Sequence, residues 1–232
     1  MYNDIVAIYD QIFPLNQAFL AFLPAYLGTP GSRVLDLGCG PGDYVDHLSR
    51  AQYQAAGIDN SAEMIRQAQI HKQGTFYNFS FTEIDQLEGP FDCIYCIGNS
   101  LSYLPSDLLQ PFLQAAARLL NERGYFLIQV VNWDKYRAVG ASDFPPKTLL
   151  DGRIFHRRYE EAPNSSVIFH TELREEGKVI KSWSDMLYPK EAATLSQAVS
   201  DSGLAVVDIF GDYQKAPFEP LSSPATILAA QK

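Results

Sequence analysis

The segment Arg33-Val34-Leu35-Asp36-Leu37-Gly38-Cys39-Gly40-Pro41-Gly42-Asp43 holds the residues best suited to do chemistry. Glycines stand at alternate positions, Gly38, Gly40 and Gly42, directly after a short apolar run that carries one acid, Asp36. Glycine lets the backbone turn sharply and lets a ligand lie against bare main chain. A helix opening after such a loop adds free N–H groups, an arrangement that nucleotide phosphates exploit. The spacing disfavours a dinucleotide, because G-x-G-x-x-G would put its third glycine where Asp43 stands. An acid at the loop also repels a pyrophosphate. It suits a ligand that carries an ammonium and a sulfonium. An ordinary strand–turn–helix corner is the competing reading, and the glycines with their two flanking acids weigh against it.

Asp59 ends the next apolar run, Gln54 to Ile58. An acid about 20 residues beyond a glycine loop can accept hydrogen bonds from two ribose hydroxyls. With these residues in view, the chain resembles the class I S-adenosylmethionine-dependent methyltransferases. Val34 to Gly42 is similar to their first motif, V-L-D-L-G-C-G-x-G, and Gly57-Ile58-Asp59-Asn60-Ser61-x-x-Met64 to their second. The resemblance implies S-adenosyl-L-methionine as cofactor, held by Tyr9, Asp36, Gly38, Cys39, Gly40, Gly42, Asp59, Asn60, Met64, Phe81, Thr82, Ile97, Gly98 and Asn99. In that family the acid matching Asp59 holds the ribose, and Asn60 and Met64 lie near the adenine. Plain core packing competes for Met64. The family often places an acid after the third strand, against the adenine amino group. Here Ser80 or Phe81 stands there, which leaves a backbone group or Thr82 to make that contact. Tyr9-Asp10-x-x-Phe13 is similar to a segment that closes over the cofactor.

Gly98-Asn99-Ser100-Leu101-Ser102-Tyr103-Leu104 fails as a nucleophile elbow, since Ser102 fills the last glycine position of G-x-S-x-G. It resembles instead the G-N-S-x-x-x-L loop of small-molecule N-methyltransferases, including the glycine N-methyltransferase group. That likeness implies an acceptor site lined by Ser100 and Tyr103. Val131-Asn132-Trp133-Asp134 is similar to that group's R-N-Y-D, which implies that Asn132 touches the acceptor. Trp183 to Pro189 resembles its lid-to-helix junction and adds Tyr188 to the substrate-binding residues. No catalytic side chain is assigned.

Cys93 and Cys96 form a C-x-x-C, but strand positions three apart face opposite ways and no further ligand pair exists, so no metal is expected. His156 or His170 could take a proton from a methylated amine, as imidazoles can, although exposed strand positions are the better reading for both. Arg157, Arg158 and Arg174 could bind a carboxylate or phosphate on the acceptor, or balance Glu160, Glu161 and Glu172 on the surface.

These residues need elements to place them. Helical spacing over 1–27, broken by Pro14 and Pro24, predicts two short helices. Strands at 33–37, 54–58, 75–81, 91–97 and 125–131 alternate with helices at 61–71 and 107–120. This predicts an α/β fold with a doubly wound, mainly parallel sheet. Segments 153–161, 166–175 and 178–188 then alternate apolar and polar residues and read as three antiparallel strands. A helix at 190–202 and strands at 204–210 and 225–230 complete a Rossmann-like, seven-stranded sheet. The expected organisation is a cofactor-binding core at 1–144, an inserted three-stranded antiparallel lid at 145–188, and the C-terminal part of the core at 189–232. A segment leaving the fifth strand's C-terminal end would stand over the ligand crevice. A platform for a homodimer is the alternative, and the two are compatible.

The 232 residues are 47% apolar and 19% charged, which is a globular composition. A net charge of −9 argues against sequence-independent nucleic-acid binding. No run of roughly eighteen apolar residues is present to span a membrane, and the N-terminus does not read as a secretory signal, so a cytoplasmic enzyme is expected. The expected function is methyl transfer from S-adenosylmethionine to a small-molecule amine nitrogen. An O- or C-methyltransferase, a nicotinamide-dependent oxidoreductase and a non-catalytic cofactor-binding module are the alternatives.

Overall fold

The computed structural model describes residues 1–140 and 143–232; positions 141 and 142, inside the expected core segment 1–144, lie outside the described residues. The chain opens with three short helices, α1 (Tyr2–Ile5), α2 (Tyr9–Ile12) and α3 (Gln17–Phe22). Strands and helices then alternate: β1 (Arg33–Leu37), α4 (Asp43–Arg50), β2 (Gln54–Ile58), α5 (Ala62–His71), β3 (Thr75–Tyr77), β4 (Phe91–Cys96), α6 (Leu109–Leu119) and β5 (Leu120–Val131). Next come α7 (Trp133–Val139), β6 (Lys147–Thr148), β7 (Ile154–Glu161), β8 (Val167–Glu175) and β9 (Lys178–Leu187). The chain ends with α8 (Ala192–Asp201), β10 (Ala205–Phe210) and β11 (Ala225–Gln231).

Seven strands form one sheet in the order β10-β11-β5-β4-β1-β2-β3, and β11 runs antiparallel to both its neighbours. β1 lies between β4 and β2 and buries Val34 through Leu37, because helices cover both faces of a parallel sheet. Cys93 packs into one layer beside the sheet and Cys96 into the other, as their spacing on a strand requires.

The boundaries differ from expectation where local hydrogen bonding overrides the apolar pattern. β3 stops at Tyr77 because Ser80 opens a 3₁₀ turn over Phe81–Gln86, its backbone N–H donating to the Glu83 carboxylate at 2.9 Å. α7 is absent from the sequence reading. Asn132 caps it, accepting from the Lys135 N–H at 3.1 Å. The expected three-stranded insertion has four strands, in the order β6-β7-β8-β9. β6 is two residues long, too short for alternation to reveal it, and it pairs Lys147 with Phe155 and Thr148 with Ile154.

The second sheet is joined to the rest through two apolar clusters. Leu149, Phe155 and Leu173 pack on Ile5 and Ile12 of the N-terminal helices. Tyr159 packs among Trp133, Tyr136, Phe144 and Phe169, mostly edge to face, at centroid distances of 4.9–5.6 Å. Trp133 in turn donates from Nε1 to the Ser102 hydroxyl at 3.0 Å. The N-terminal segment and the second sheet therefore approach the main sheet as one packed body.

Candidate cofactor and acceptor site

β1 delivers the chain to the glycine loop at Gly38, whose φ of +85° is in the left-handed region. A Cβ there would stand 2.9 Å from the Ser100 side chain, so only glycine fits. The backbone N–H groups of Gly38 and Cys39 both donate to the Ile58 carbonyl at 2.9 Å. Asp59 completes the attachment. One carboxylate oxygen accepts from the Gly40 N–H at 2.9 Å and the other from the Ser61 N–H at 2.8 Å. Burial pushes the Asp59 carboxyl upward, and these two backbone donors oppose the shift.

Asp36 lies behind the loop, 2% exposed, and its Oδ2 has no hydrogen-bond partner among the described residues. Burial is the main reason its pKa rises to about 8; Asp59 adds to the rise, and the adjacent Tyr95 hydroxyl partly offsets it. A buried carboxylate oxygen without a partner is costly unless a ligand supplies one.

The loop opens onto a cavity of about 990 Å³. Its wall holds Tyr9, Asp36, Gly38, Cys39, Gly40, Asp59, Asn60, Met64, Phe81, Thr82, Ile97, Gly98, Ser100 and Tyr103, all singled out in the sequence. Four other expected residues are not on that wall. Gly42 caps α4 from behind the loop, where a Cβ would meet the Phe76 ring at 2.5 Å. Asn99 turns inward: its Oδ1 accepts from the Ser102 hydroxyl at 2.7 Å and the Val131 N–H at 3.0 Å. Asn132 is 2% exposed, and besides capping α7 it donates to the carbonyls of Pro220 at 3.0 Å and Ser223 at 2.9 Å. It therefore does not face an acceptor. Tyr188 donates its backbone N–H to the Ser102 carbonyl at 2.7 Å, and its ring packs beside the Lys190 ammonium.

The sequence reading missed several wall residues. Gln129 accepts from the Gly98 N–H at 2.7 Å and from the Tyr213 hydroxyl at 3.4 Å, and both side chains line the cavity. Asp185 and Lys147 reach it from the second sheet. Asp185 Oδ2 is buried without a partner among the described residues. One signal for it existed: Trp183, Asp185 and Leu187 share a strand face, and an acid on an otherwise apolar face is anomalous. Lys147 gave none.

Residues 34–124 match the family model described as "Methyltransferase domain". Those residues carry the sequence pattern of a methyltransferase domain. Its curated relatives include a putative methyltransferase, YqeM, of Bacillus subtilis (strain 168), 29% identical over 160 residues, 65% of this chain and 62% of the relative. A ubiquinone biosynthesis O-methyltransferase of Xanthomonas campestris is 28% identical over 124 residues, 51% of each chain. The chain thus spans between half and two thirds of the length of these relatives. Among solved structures, the CcbJ methyltransferase of Streptomyces caelestis superposes with a TM-score of 0.84 at 20% identity, covering 99% of this chain and 96% of its own. The S-adenosylmethionine-bound amino pentose methyltransferase CalS10 does so at 0.68 and 14% identity, covering 100% and 91%. These likenesses establish the methyltransferase fold. The donor set at the loop fits S-adenosylmethionine, because the unpartnered Oδ2 of Asp36 beside bare glycine backbone suits a cationic ammonium and sulfonium.

Proposed function

We propose that the chain transfers a methyl group from S-adenosylmethionine to the nitrogen of a small-molecule amine. The observation that carries this reading is the unpartnered carboxylate oxygen of Asp185, buried in the same cavity as the glycine loop. Bound at the loop, S-adenosylmethionine supplies an electrophilic methyl on a positively charged sulfur. In this reading Asp59 holds the ribose with the lone pairs left by Gly40 and Ser61. Asn60, Met64, Phe81 and Thr82 surround the adenine, and Asp36 faces the methionine end. Tyr9 and the second sheet, residues 145–188, close over the cavity as a lid.

The remaining task is to align an acceptor lone pair behind the methyl and exclude water. Asp185 serves it by accepting a hydrogen bond from an amine N–H, which turns the lone pair away from the carboxylate. Ser100 and Tyr103 line the adjoining wall. His156 and His170 stand on the opposite face of their strands from Phe155 and Phe169, which pack inward.

A panel of amines, amino acids and phenols incubated with S-adenosylmethionine tests the proposal, with S-adenosylhomocysteine formation as the readout. Amines should turn over and phenols should not. Asp185→Asn should raise the amine KM about tenfold or more, the loss of one charge-assisted hydrogen bond, while cofactor affinity stays unchanged. Turnover of phenols alone, or an unchanged KM in the variant, contradicts the assignment.

A further inference from the structure

Of the three lid arginines singled out in the sequence, two are accounted for by neighbouring acids. Arg158 pairs with Glu160 and Arg174 with Glu172, each at 2.6 Å. Arg157 is different. It lies on the inward face of β7, between Phe155 and Tyr159, and its guanidinium stacks over the rings of Phe13 and Phe144 at 5.9 and 5.1 Å. Its Nε is buried without a partner, and no carboxylate pairs with it among the described residues. Lys147 stands nearby on the cavity wall, and its ammonium donates to the Ile12 carbonyl. The charge acting on Lys147 is Arg157 itself, a second cation. Burial depresses the pKa of both side chains.

Two adjacent, half-buried cations with no acid between them are unfavourable, since each loses hydration and the two repel. The chain as a whole is acidic, with a net charge of −9, so the concentration of unpaired positive charge here runs against its composition. An anion bound between them would remove both penalties. A guanidinium's planar edge fits a carboxylate or phosphate oxygen pair, and Arg157 Nε, one donor of that edge, has no partner among the described residues.

We propose that Lys147 and Arg157 form an anion subsite, and that the methyl acceptor carries a carboxylate or phosphate group bound there. The proposal rests on reading this end of the cavity as the acceptor site. With Asp185 on the same sheet, it describes an acceptor that is both an amine and an acid. The cofactor's own carboxylate has the same chemistry, and the test separates the two sources.

Full-length protein saturated with S-adenosylhomocysteine is titrated with inorganic phosphate and with ¹³C-labelled acetate, and binding is followed by NMR. At least one of the two should bind at millimolar concentration, phosphate indicating a phosphate-ester acceptor and acetate a carboxylate one. Arg157→Met and Lys147→Met should each weaken that binding about tenfold or more, the scale of one charge-assisted contact. Arg157→Lys should retain most of it, and Arg174→Met should change nothing. Affinity for S-adenosylhomocysteine should be equal in all variants. Removing an uncompensated cation should leave the melting temperature of Arg157→Met unchanged or higher. The proposal is overturned if neither anion binds, or if Arg157→Met binds both as well as wild type. It is overturned equally if S-adenosylhomocysteine displaces the anion and binds more weakly to Arg157→Met, which would assign the pair to the cofactor. Anion binding without methyl transfer to any amine would leave the subsite standing and remove the proposed function. Methylation of neutral amines, with no effect of Arg157→Met on acidic ones, would do the reverse.

Discussion

Asp36 is the residue at which the chemistry and the stability of this chain conflict. Its carboxyl, about 8 in the folded protein, titrates near 3.8 when ordinary. Between those values the folded state holds a proton that the unfolded state has shed. The stability it contributes is therefore complete below about pH 4 and is lost as pH rises through about 8. Asp36→Asn should match wild type in thermal stability at acid pH and exceed it at pH 8, while losing roughly ten- to a hundredfold in cofactor affinity. Thermal melts across this range, with calorimetry on S-adenosylhomocysteine, check both. Binding a cationic cofactor at pH 7 should also release about one proton, seen as a buffer-dependent binding enthalpy. Asp59 has a structural role beside the proposed one. Its carboxylate fastens the glycine loop to β2, so Asp59→Ala frees the Gly40 and Ser61 N–H groups as well as removing the proposed ribose contact. We expect a loss of about 2–4 kcal/mol in cofactor binding and about 1–3 kcal/mol in stability, measured by calorimetry and denaturant titration. Asp36, Gly38 and Asp59 meet on the cavity wall, as their sequence pattern led us to expect, because the adjoining β1, glycine loop, α4 and β2 set their positions. Asn132 was misread because the carbonyls that occupy its amide belong to residues 220 and 223, on a distant part of the chain.

At the scale of elements, strands long enough to alternate were read within a residue or two, except β5, which starts at Leu120, five residues before the expected 125 and directly after α6. What escaped were β6, α7 and the 3₁₀ turn after β3. β6 exists through pairing with β7 alone, and the other two follow from side-chain caps, Asn132 and the Ser80–Glu83 pair. The packing of the second sheet also changes what a deletion would do. Removing 145–188 would uncover Ile5, Ile12 and Trp133, so point substitutions are the cleaner probe. Phe155 is fully buried between the sheet and the N-terminal helices. Phe155→Ala should cost about 3–5 kcal/mol, as a large cavity in a dry cluster does. If the sheet acts as a lid, amine turnover should fall further than cofactor affinity in this variant. Equal losses would show that the cluster supports the whole cavity.

Across the whole molecule, the main sheet supplies the glycine loop, Asp59 and the wall from Ile97 to Tyr103, while the insertion supplies Asp185 and Lys147. The first set lies within or beside the segment that matches the methyltransferase model, residues 34–124, and the second lies outside it. That division explains why the cofactor was readable and the acceptor was not: the cradle is a local pattern, whereas the proposed acceptor end is assembled by contacts between residues far apart in sequence. The most direct measurement uses S-adenosylmethionine with a deuterated methyl group, the purified full chain, and candidate amines that bear a carboxylate or phosphate. Tandem mass spectrometry then locates the label in the product. The label should sit on the amine nitrogen, with S-adenosylhomocysteine formed in equal amount. A label on oxygen or carbon, or no labelled product from a protein that binds the cofactor, would contradict the account.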